Sequence, residues 1–184
     1  ARMLLDLFPQ LSTGQASLLL QGNKLVPSFF SELADRAHGL HSLGLAHCEG
    51  LPYIYTEMSG LRKMRNLSLT SVQWPESSCE SLEVDGLSRL TKLTKLSIGR
   101  AALGSINGLL PLLPCLQILE LHWVSFMVPT RIRSGSLREL VLESALPAEI
   151  DRAELPELQQ VVLENLLLED IAGDGNNSKY VSCA

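Results

Sequence analysis

Seven segments of the chain fit one leucine pattern, L-x-x-L-x-L-x-x-N/C, with other residues at some of its positions. These segments are QASLLLQGN from Gln15, LHSLGLAHC from Leu40, MRNLSLTSV from Met64, LTKLSIGRA from Leu93, LQILELHWV from Leu116, LRELVLESA from Leu137 and LQQVVLENL from Leu158. Their central apolar residues, spaced 21 to 29 residues apart, are Leu18, Leu43, Leu67, Leu96, Leu119, Leu140 and Val161. Alternating leucines predict a short strand with one buried face, and recurrence at this period predicts that the strands stack in one parallel sheet.

Leucine also dominates the composition. It occurs 39 times in 184 residues, whereas aromatic residues make up 5% of the chain, so the predicted core is aliphatic. The length suits one domain, and we expect a single domain over 1–184, with an N-terminal flank over 1–12 and a flexible tail over 173–184. No apolar run reaches the roughly 20 residues of a membrane-spanning helix. The four cysteines show no paired spacing, and we expect reduced thiols and an intracellular protein, cytoplasmic or organellar.

With this pattern the chain resembles the leucine-rich repeat superfamily over nearly its whole length. The stretch LHSLGLAHCEGLPYIYTEMSGLRKMRNLSL is similar to the cysteine-containing repeats of plant intracellular immune receptors and F-box proteins. The resemblance implies an α/β fold: a leucine-rich repeat solenoid with a curved parallel sheet of about seven short strands, and short helices and irregular coil on the convex side. It also implies that Asn23 and Cys48, in the ninth position, hydrogen-bond the backbone where the strand turns. Less regular turns are expected where this position is occupied by Val72, Ala101, Val124, Ala145 and Leu166.

The segments between the strands return along the outer face. PSFFSELADRAHG predicts a helix that Ser28 caps and that Gly39 ends in a left-handed conformation, with one apolar face made of Phe30, Leu33, Ala34 and Ala37. The later returns LPYIYTEMSG, FMVPTRIRSGS and LPAEIDRAELPE are interrupted by Pro or Gly, which favours single turns or coil. The longest step contains a further candidate helix over Glu80 to Leu90, with Leu82, Leu87 and Leu90 facing inward.

The residues between the leucines should line the other, concave face of the sheet in columns. The columns are Ser17, Ser42, Asn66, Lys95, Ile118, Glu139, Gln160, then Leu19, Gly44, Ser68, Ser97, Glu120, Val141, Val162, then Gln21, Ala46, Thr70, Gly99, His122, Glu143, Glu164. They begin small and neutral and end large, apolar and acidic. We therefore expect the partner-binding residues at the C-terminal end, namely Ile118, Glu120, His122, Trp123, Glu139, Val141, Glu143, Gln160, Val162 and Glu164.

Trp123 and the charge balance bear on this site. An aromatic residue among carboxylates is typical of an interface hot spot, although position eight of the pattern also permits Trp123 to pack into the turn as core. From Glu139 to Asp174 there are ten acidic residues and one basic residue, Arg152. This balance favours a protein partner with a basic patch and disfavours nucleic acid, or it is a solvated face that keeps the protein soluble.

The sequence predicts binding rather than catalysis. His38, His41, His47 and Cys48 should not converge on a metal, and we expect no cofactor. His122 and Glu143 should form a surface hydrogen bond, since an open sheet offers no pocket to make them an acid/base pair. Two functions remain, with an enzyme that uses a surface site of His122 and Glu143 as a distant third. The first is a recognition module that binds through its concave face. The second is a structural or accessory subunit of a larger complex that covers the C-terminal end, where LQQVVLENLLLEDI leaves the last strand under-covered.

Overall fold

The computed structural model describes residues 16–26, 28–48, 58–71, 87–103, 106, 108–126, 130–145, 149–150 and 152–165. Its helices and strands are β1 (Ala16–Gln21), α1 (Ser28–Arg36), β2 (Leu40–Ala46), β3 (Asn66–Thr70), β4 (Lys95–Leu103), β5 (Ile118–Phe126), β6 (Arg131–Ile132), β7 (Glu139–Glu143), β8 (Glu149–Ile150) and β9 (Gln160–Glu164). Two short 3-10 turns, Leu110–Leu112 and Arg152–Glu154, lie between strands.

A seven-stranded parallel sheet is the main element of this α/β fold. Its strands lie in the order β1, β2, β3, β4, β5, β7, β9, so neighbours in the sheet follow one another along the chain. The seven central apolar residues pair with one another from Leu18 to Val161. The predicted seven strands, their parallel direction and their register are therefore confirmed.

The core lies on the sheet face that carries the leucines. Leu43, Leu67, Leu96, Leu119 and Leu140 are all buried. Because the strands are in register, each of these side chains stacks on the equivalent side chain of the next strand. The resulting apolar contact is continuous across the sheet, and no single strand could bury its leucines alone.

Helix α1 packs on the N-terminal part of this core. It buries Phe29, Phe30 and Leu33, and the two phenylalanine rings meet edge to face with centroids 5.0 Å apart. The predicted apolar face is present, but both predicted ends are wrong. Ser28 is the first helical residue rather than the cap, and the backbone of Gly39 is not left-handed, because its carbonyl accepts a hydrogen bond from the Ala16 amide and holds β1 in place.

In each of the seven strands of the main sheet, the residue directly after the third predicted column, which runs from Gln21 to Glu164, has a left-handed backbone. These residues, with φ between 48° and 64°, are Gly22, His47, Ser71, Arg100, Trp123, Ser144 and Asn165. Six of the seven are not glycine, so the conformation does not depend on glycine alone. It directly follows the last residue of β1, β2, β3, β7 and β9 and lies within β4 and β5. The less regular turns expected at the later strands are not seen in the φ of this residue. The strands differ after it, because β4 and β5 continue for three more residues and the other five end, and Val72 and Leu166 lie outside the described residues.

Hydrogen bonds from two side chains support the first two of these strand ends. Asn23 Nδ2 donates to the Gln21 carbonyl at 2.8 Å. The Cys48 thiol lies 3.6 Å from the Leu20 carbonyl oxygen and 3.5 Å from that of Ala46, so it links β1 to β2. Both side chains therefore bond the backbone as the leucine pattern predicts.

A second sheet joins β6 to β8, two parallel strands of two residues each. Its segments lie within the returns that were predicted as turns or coil, so that prediction is wrong here. Ile132 of β6 is buried and Ile150 of β8 packs against the core. The ion pair between Arg133 and Glu154, 2.8 Å long, ties the two returns together beside this sheet. Strands of two residues are too short to show an alternating pattern in a sequence.

Several predictions fall partly or wholly on residues outside the described ranges. These include the flank over 1–12, the tail over 173–184 and most of the candidate helix over Glu80 to Leu90, of which Leu87 and Leu90 are described and buried. Among the described residues, no helix is long and apolar enough to cross a membrane.

Candidate binding surface

The open face is the side of the main sheet opposite the leucines, formed by the three columns from Ser17 to Gln160, Leu19 to Val162 and Gln21 to Glu164. The strand register brings each column together as predicted. The predicted partner-binding residues lie side by side on β5, β7 and β9, here called the C-terminal half. Gln160 and Glu164 are exposed, and the others on these three columns are partly buried, namely Ile118, Glu120, His122, Glu139, Val141, Glu143 and Val162.

A chain of polar contacts crosses the C-terminal half from strand to strand. Lys95 Nζ lies 2.6 Å from Glu120 Oε1, and the other oxygen of Glu120 lies 3.8 Å from His122 Nε2. His122 Nδ1 lies 3.0 Å from Glu143 Oε2, and Asn165 Nδ2 donates to Glu143 Oε1 at 3.0 Å. We call this set the polar ladder. The predicted surface hydrogen bond between His122 and Glu143 is confirmed as its central contact.

The environment of Glu143 favours its ionised form. The hydrogen bond from His122 is the main cause that lowers the pKa of this carboxyl below its ordinary value, with further contributions from Asn165, the charge of His122 and Trp123. Partial desolvation acts in the opposite direction and is outweighed. The ladder therefore keeps a negative charge at its centre near neutral pH.

Trp123 stands at the edge of the ladder with 54% of its surface exposed, so its packing as core is wrong. Strict alternation along β5 would turn Trp123 to the leucine side, because His122 before it faces outward. The left-handed backbone at Trp123, with φ of 56°, reverses this alternation. The indole is turned outward and Val124 is buried in its place.

The N-terminal half of the open face, on β1 to β4, contains a groove that sequence reasoning missed. The groove has a volume of about 410 Å³ and reaches Glu120 on β5. Its polar lining residues are Ser17, Ser42, Asn66, Ser68, Lys95, Ser97 and Glu120. We call it the serine groove. The signal for it was the run of small residues in the first two columns, since short side chains leave space above a sheet.

The remaining polar candidates have structural contacts. His41 Nδ1 lies 2.7 Å from the Gly39 carbonyl oxygen, and the Cys48 thiol faces the ends of β1 and β2. Within the described ranges no three His, Cys, Asp or Glu side chains come together as metal ligands would. The open face thus presents hydrogen-bonding groups, charges and the exposed indole of Trp123.

The charges of the open face are concentrated in its C-terminal half. Glu120, Glu139, Glu143 and Glu164 lie there, and Lys95 and His122 contact two of them. The small basic group of Arg62, Lys63 and Arg65 lies before and at the start of β3, away from these carboxylates in the sheet order.

Comparison with known proteins assigns no family. A scan against protein-family models found no match for this chain, and a search of curated proteins found no similar sequence. The functional argument therefore depends on the residues of the open face.

Proposed function

We propose that the chain is a leucine-rich repeat solenoid that binds a protein partner through the open face of its sheet. Three observations support the architecture: the 21- to 29-residue spacing of the strands, the register of their apolar residues and the left-handed residue at the same register position of all seven. A solenoid sheet of this kind has one extended face available to a ligand, which suits a large flat or convex partner.

The exposed indole of Trp123 beside the polar ladder is the observation that carries the binding proposal. A tryptophan that loses its contact with water in an interface contributes about 2 kcal/mol or more to binding. Glu143 contacts the Trp123 side chain and pairs with Glu164 on the next strand, so the charge on this side of the indole is negative and the partner presents a basic patch. The same charge repels the phosphates of nucleic acid. We infer a non-enzymatic role, because His122 and Glu143 lie on an exposed surface where catalytic charges would be screened.

A second candidate function, a structural subunit of a larger complex, has its own support. Leu163 on β9 pairs in register with Leu142 on β7. Leu142 is fully buried, whereas 36% of Leu163 is exposed. Burial of a leucine side chain is favourable. A neighbouring subunit that covers the β9 end of the sheet would bury Leu163 and so stabilise the complex.

Affinity purification of the tagged chain from cells tests the recognition module. We compare the wild type with Trp123→Ala and with the control Leu112→Ala, which removes another exposed apolar side chain, 48% exposed, outside the three open-face columns. A partner of the open face is reduced at least about tenfold by Trp123→Ala and is unaffected by Leu112→Ala. If no co-purifying protein distinguishes the two variants, the proposed role of Trp123 is wrong.

The isolated chain distinguishes the two functions. Sedimentation velocity of a recognition module gives one monomeric species over a wide concentration range. A subunit that needs a neighbour over β9 aggregates or requires co-expression, and Leu163→Gln relieves the aggregation. A monodisperse wild-type monomer would argue against the structural-subunit function.

A further inference from the structure

The serine groove contains polar side chains that lack hydrogen-bond partners within the described part of the chain. Among the described residues, no side-chain hydrogen bond is made by Ser17, Ser42, Asn66, Ser68 or Ser97, although Lys95 and Glu120 at the far end of the groove bond to each other. Hydroxyl and amide groups both donate and accept. The groove therefore offers several free donors and acceptors on one small surface.

Ser97 distinguishes this groove from ordinary polar surface. It lies on β4 between Ser68 and Glu120 in the second column, and only 9% of its surface is exposed. Within the described part of the chain this largely buried side chain has no hydrogen-bond partner, and its residue lines the groove. A ligand that enters the groove can supply that partner.

The charges of the lining select an uncharged ligand. Lys95 is the cationic residue of the lining and Glu120 is the anionic residue, and their 2.6 Å contact neutralises both. An anion that binds Lys95 competes with Glu120 for it, and a cation that binds Glu120 competes with Lys95. Either ligand weakens the existing ion pair, whereas a neutral ligand leaves it intact.

The shape and the remaining lining favour a peptide. No aromatic side chain lines the groove, so it lacks the flat ring on which a sugar could stack. Leu19, with 69% of its surface exposed, leans over Gly44 at the β1 end, where its Cδ1 would come within 2.6 Å of an added Cβ. The groove thus has the apolar side chain of Leu19 at one end and a row of hydroxyls along its floor. This lining suits a peptide whose backbone is polar and whose side chains are small.

We propose that the serine groove binds an uncharged, extended peptide segment, whose backbone N–H and C=O groups bond the side chains of Asn66, Ser68 and Ser97. This inference rests on the proposed function, since it names the part of the partner that contacts the N-terminal half of the open face. Trp123 and the polar ladder then hold a basic region of the same partner.

The test uses a display library of random octapeptides, selected on the whole chain and counter-selected on Ser42→Phe. Ser42 is half-buried, so the ring fills the groove without entering the core. The control is Ser125→Phe, an exposed site on β5 that does not line the groove. Peptides that bind the wild type and Ser125→Phe but not Ser42→Phe are expected to be depleted of Asp, Glu, Lys and Arg at least about fivefold relative to the input library, given the loss of an ion pair for each charge.

Nuclear magnetic resonance titration of one recovered peptide places its site. Saturable shifts are expected at the amides of Ser68 and Ser97, and Ser97→Ala should weaken binding by about two- to tenfold, as expected for one hydrogen bond. Selected peptides that carry charge, equal binding to Ser42→Phe, or maltotriose producing the same shifts as the peptide would each overturn the inference. Trp123→Ala leaves this peptide binding unchanged, so failure here is distinguishable from failure of the proposed partner interaction.

Discussion

The two halves of the open face share one backbone and differ in the size and charge of their side chains. On β1 to β4 the columns consist largely of serine, glycine and other small residues, and the space above them is the serine groove. On β5, β7 and β9 longer side chains fill that space and contact one another through the polar ladder. The register is unbroken across the boundary between β4 and β5. The difference between the serine groove and the charged C-terminal half therefore comes from the side chains, because the sheet register is the same in both.

The largest effect is expected from Leu119→Asp, which tests whether the two halves are one structure. Leu119 is fully buried on β5, next to the boundary between the halves, and an unpaired carboxylate there costs several kcal/mol, about 4 or more. Urea unfolding followed by circular dichroism should show both halves lost together. The control is Leu163→Asp at the exposed β9 end, with a loss of about 1 kcal/mol or less. A stable Leu119→Asp protein would mean that the leucine face is not the core.

A charge reversal in the C-terminal half sharpens the comparison of the two surfaces. Glu120→Lys combined with Glu143→Lys should weaken binding of a partner with a basic patch by about 1–3 kcal/mol at low salt. The loss should shrink at about 0.5 M salt, because mobile ions screen exposed charges. Calorimetric titration with the partner that Trp123→Ala releases provides the measurement.

The matched control for that charge reversal lies in the other half. Ser42→Lys and Asn66→Lys add the same kind of charge to the serine groove, where the proposed peptide segment is neutral. Their effect on partner binding should depend less on salt than that of the glutamate variants. An equal salt dependence in both halves would contradict the division of the open face into a neutral part and a charged part.

A smaller effect is expected at the strand ends, where the two halves should respond alike. Ser71 follows β3 and has a left-handed backbone with φ of 51°, which is unfavourable for a residue with a Cβ atom. Ser71→Gly should raise the free energy of unfolding by up to about 1 kcal/mol, measured by urea titration. Ser71→Val should lower it, since a branched side chain tolerates this conformation least. If Ser71→Val raised the free energy of unfolding, residue 71 would not hold a left-handed backbone in the folded protein.

The sequence allowed prediction of the register, and through it of the neighbours on the open face. Leucines at a constant spacing define which residues pair, so His122 and Glu143 could be placed in contact before any coordinates. The orientation of Trp123 could not be predicted, because one left-handed residue reverses the alternation and four of the six non-glycine examples are residue types that seldom mark such a position. The serine groove required knowledge of empty volume, and β6 with β8 required tertiary contacts, neither of which a pattern of apolar residues contains.

The smallest effect concerns Glu143 and pH, and it belongs to the C-terminal half alone. The pKa of this carboxyl is lowered in the folded protein, chiefly by the hydrogen bond from His122. Ionised Glu143 therefore stabilises the folded state more than protonated Glu143 does. Its stabilisation is fully present above the ordinary pKa of 4.5 and is lost as the pH falls through the lower pKa of the folded state.

Wild type and Glu143→Gln should therefore differ more in unfolding midpoint at pH 7 than at pH 3. The control Glu157→Gln, exposed and outside the ladder, should show no such change with pH. A constant difference between wild type and Glu143→Gln over this range would mean that the hydrogen bonds of the ladder do not favour the ionised form of Glu143.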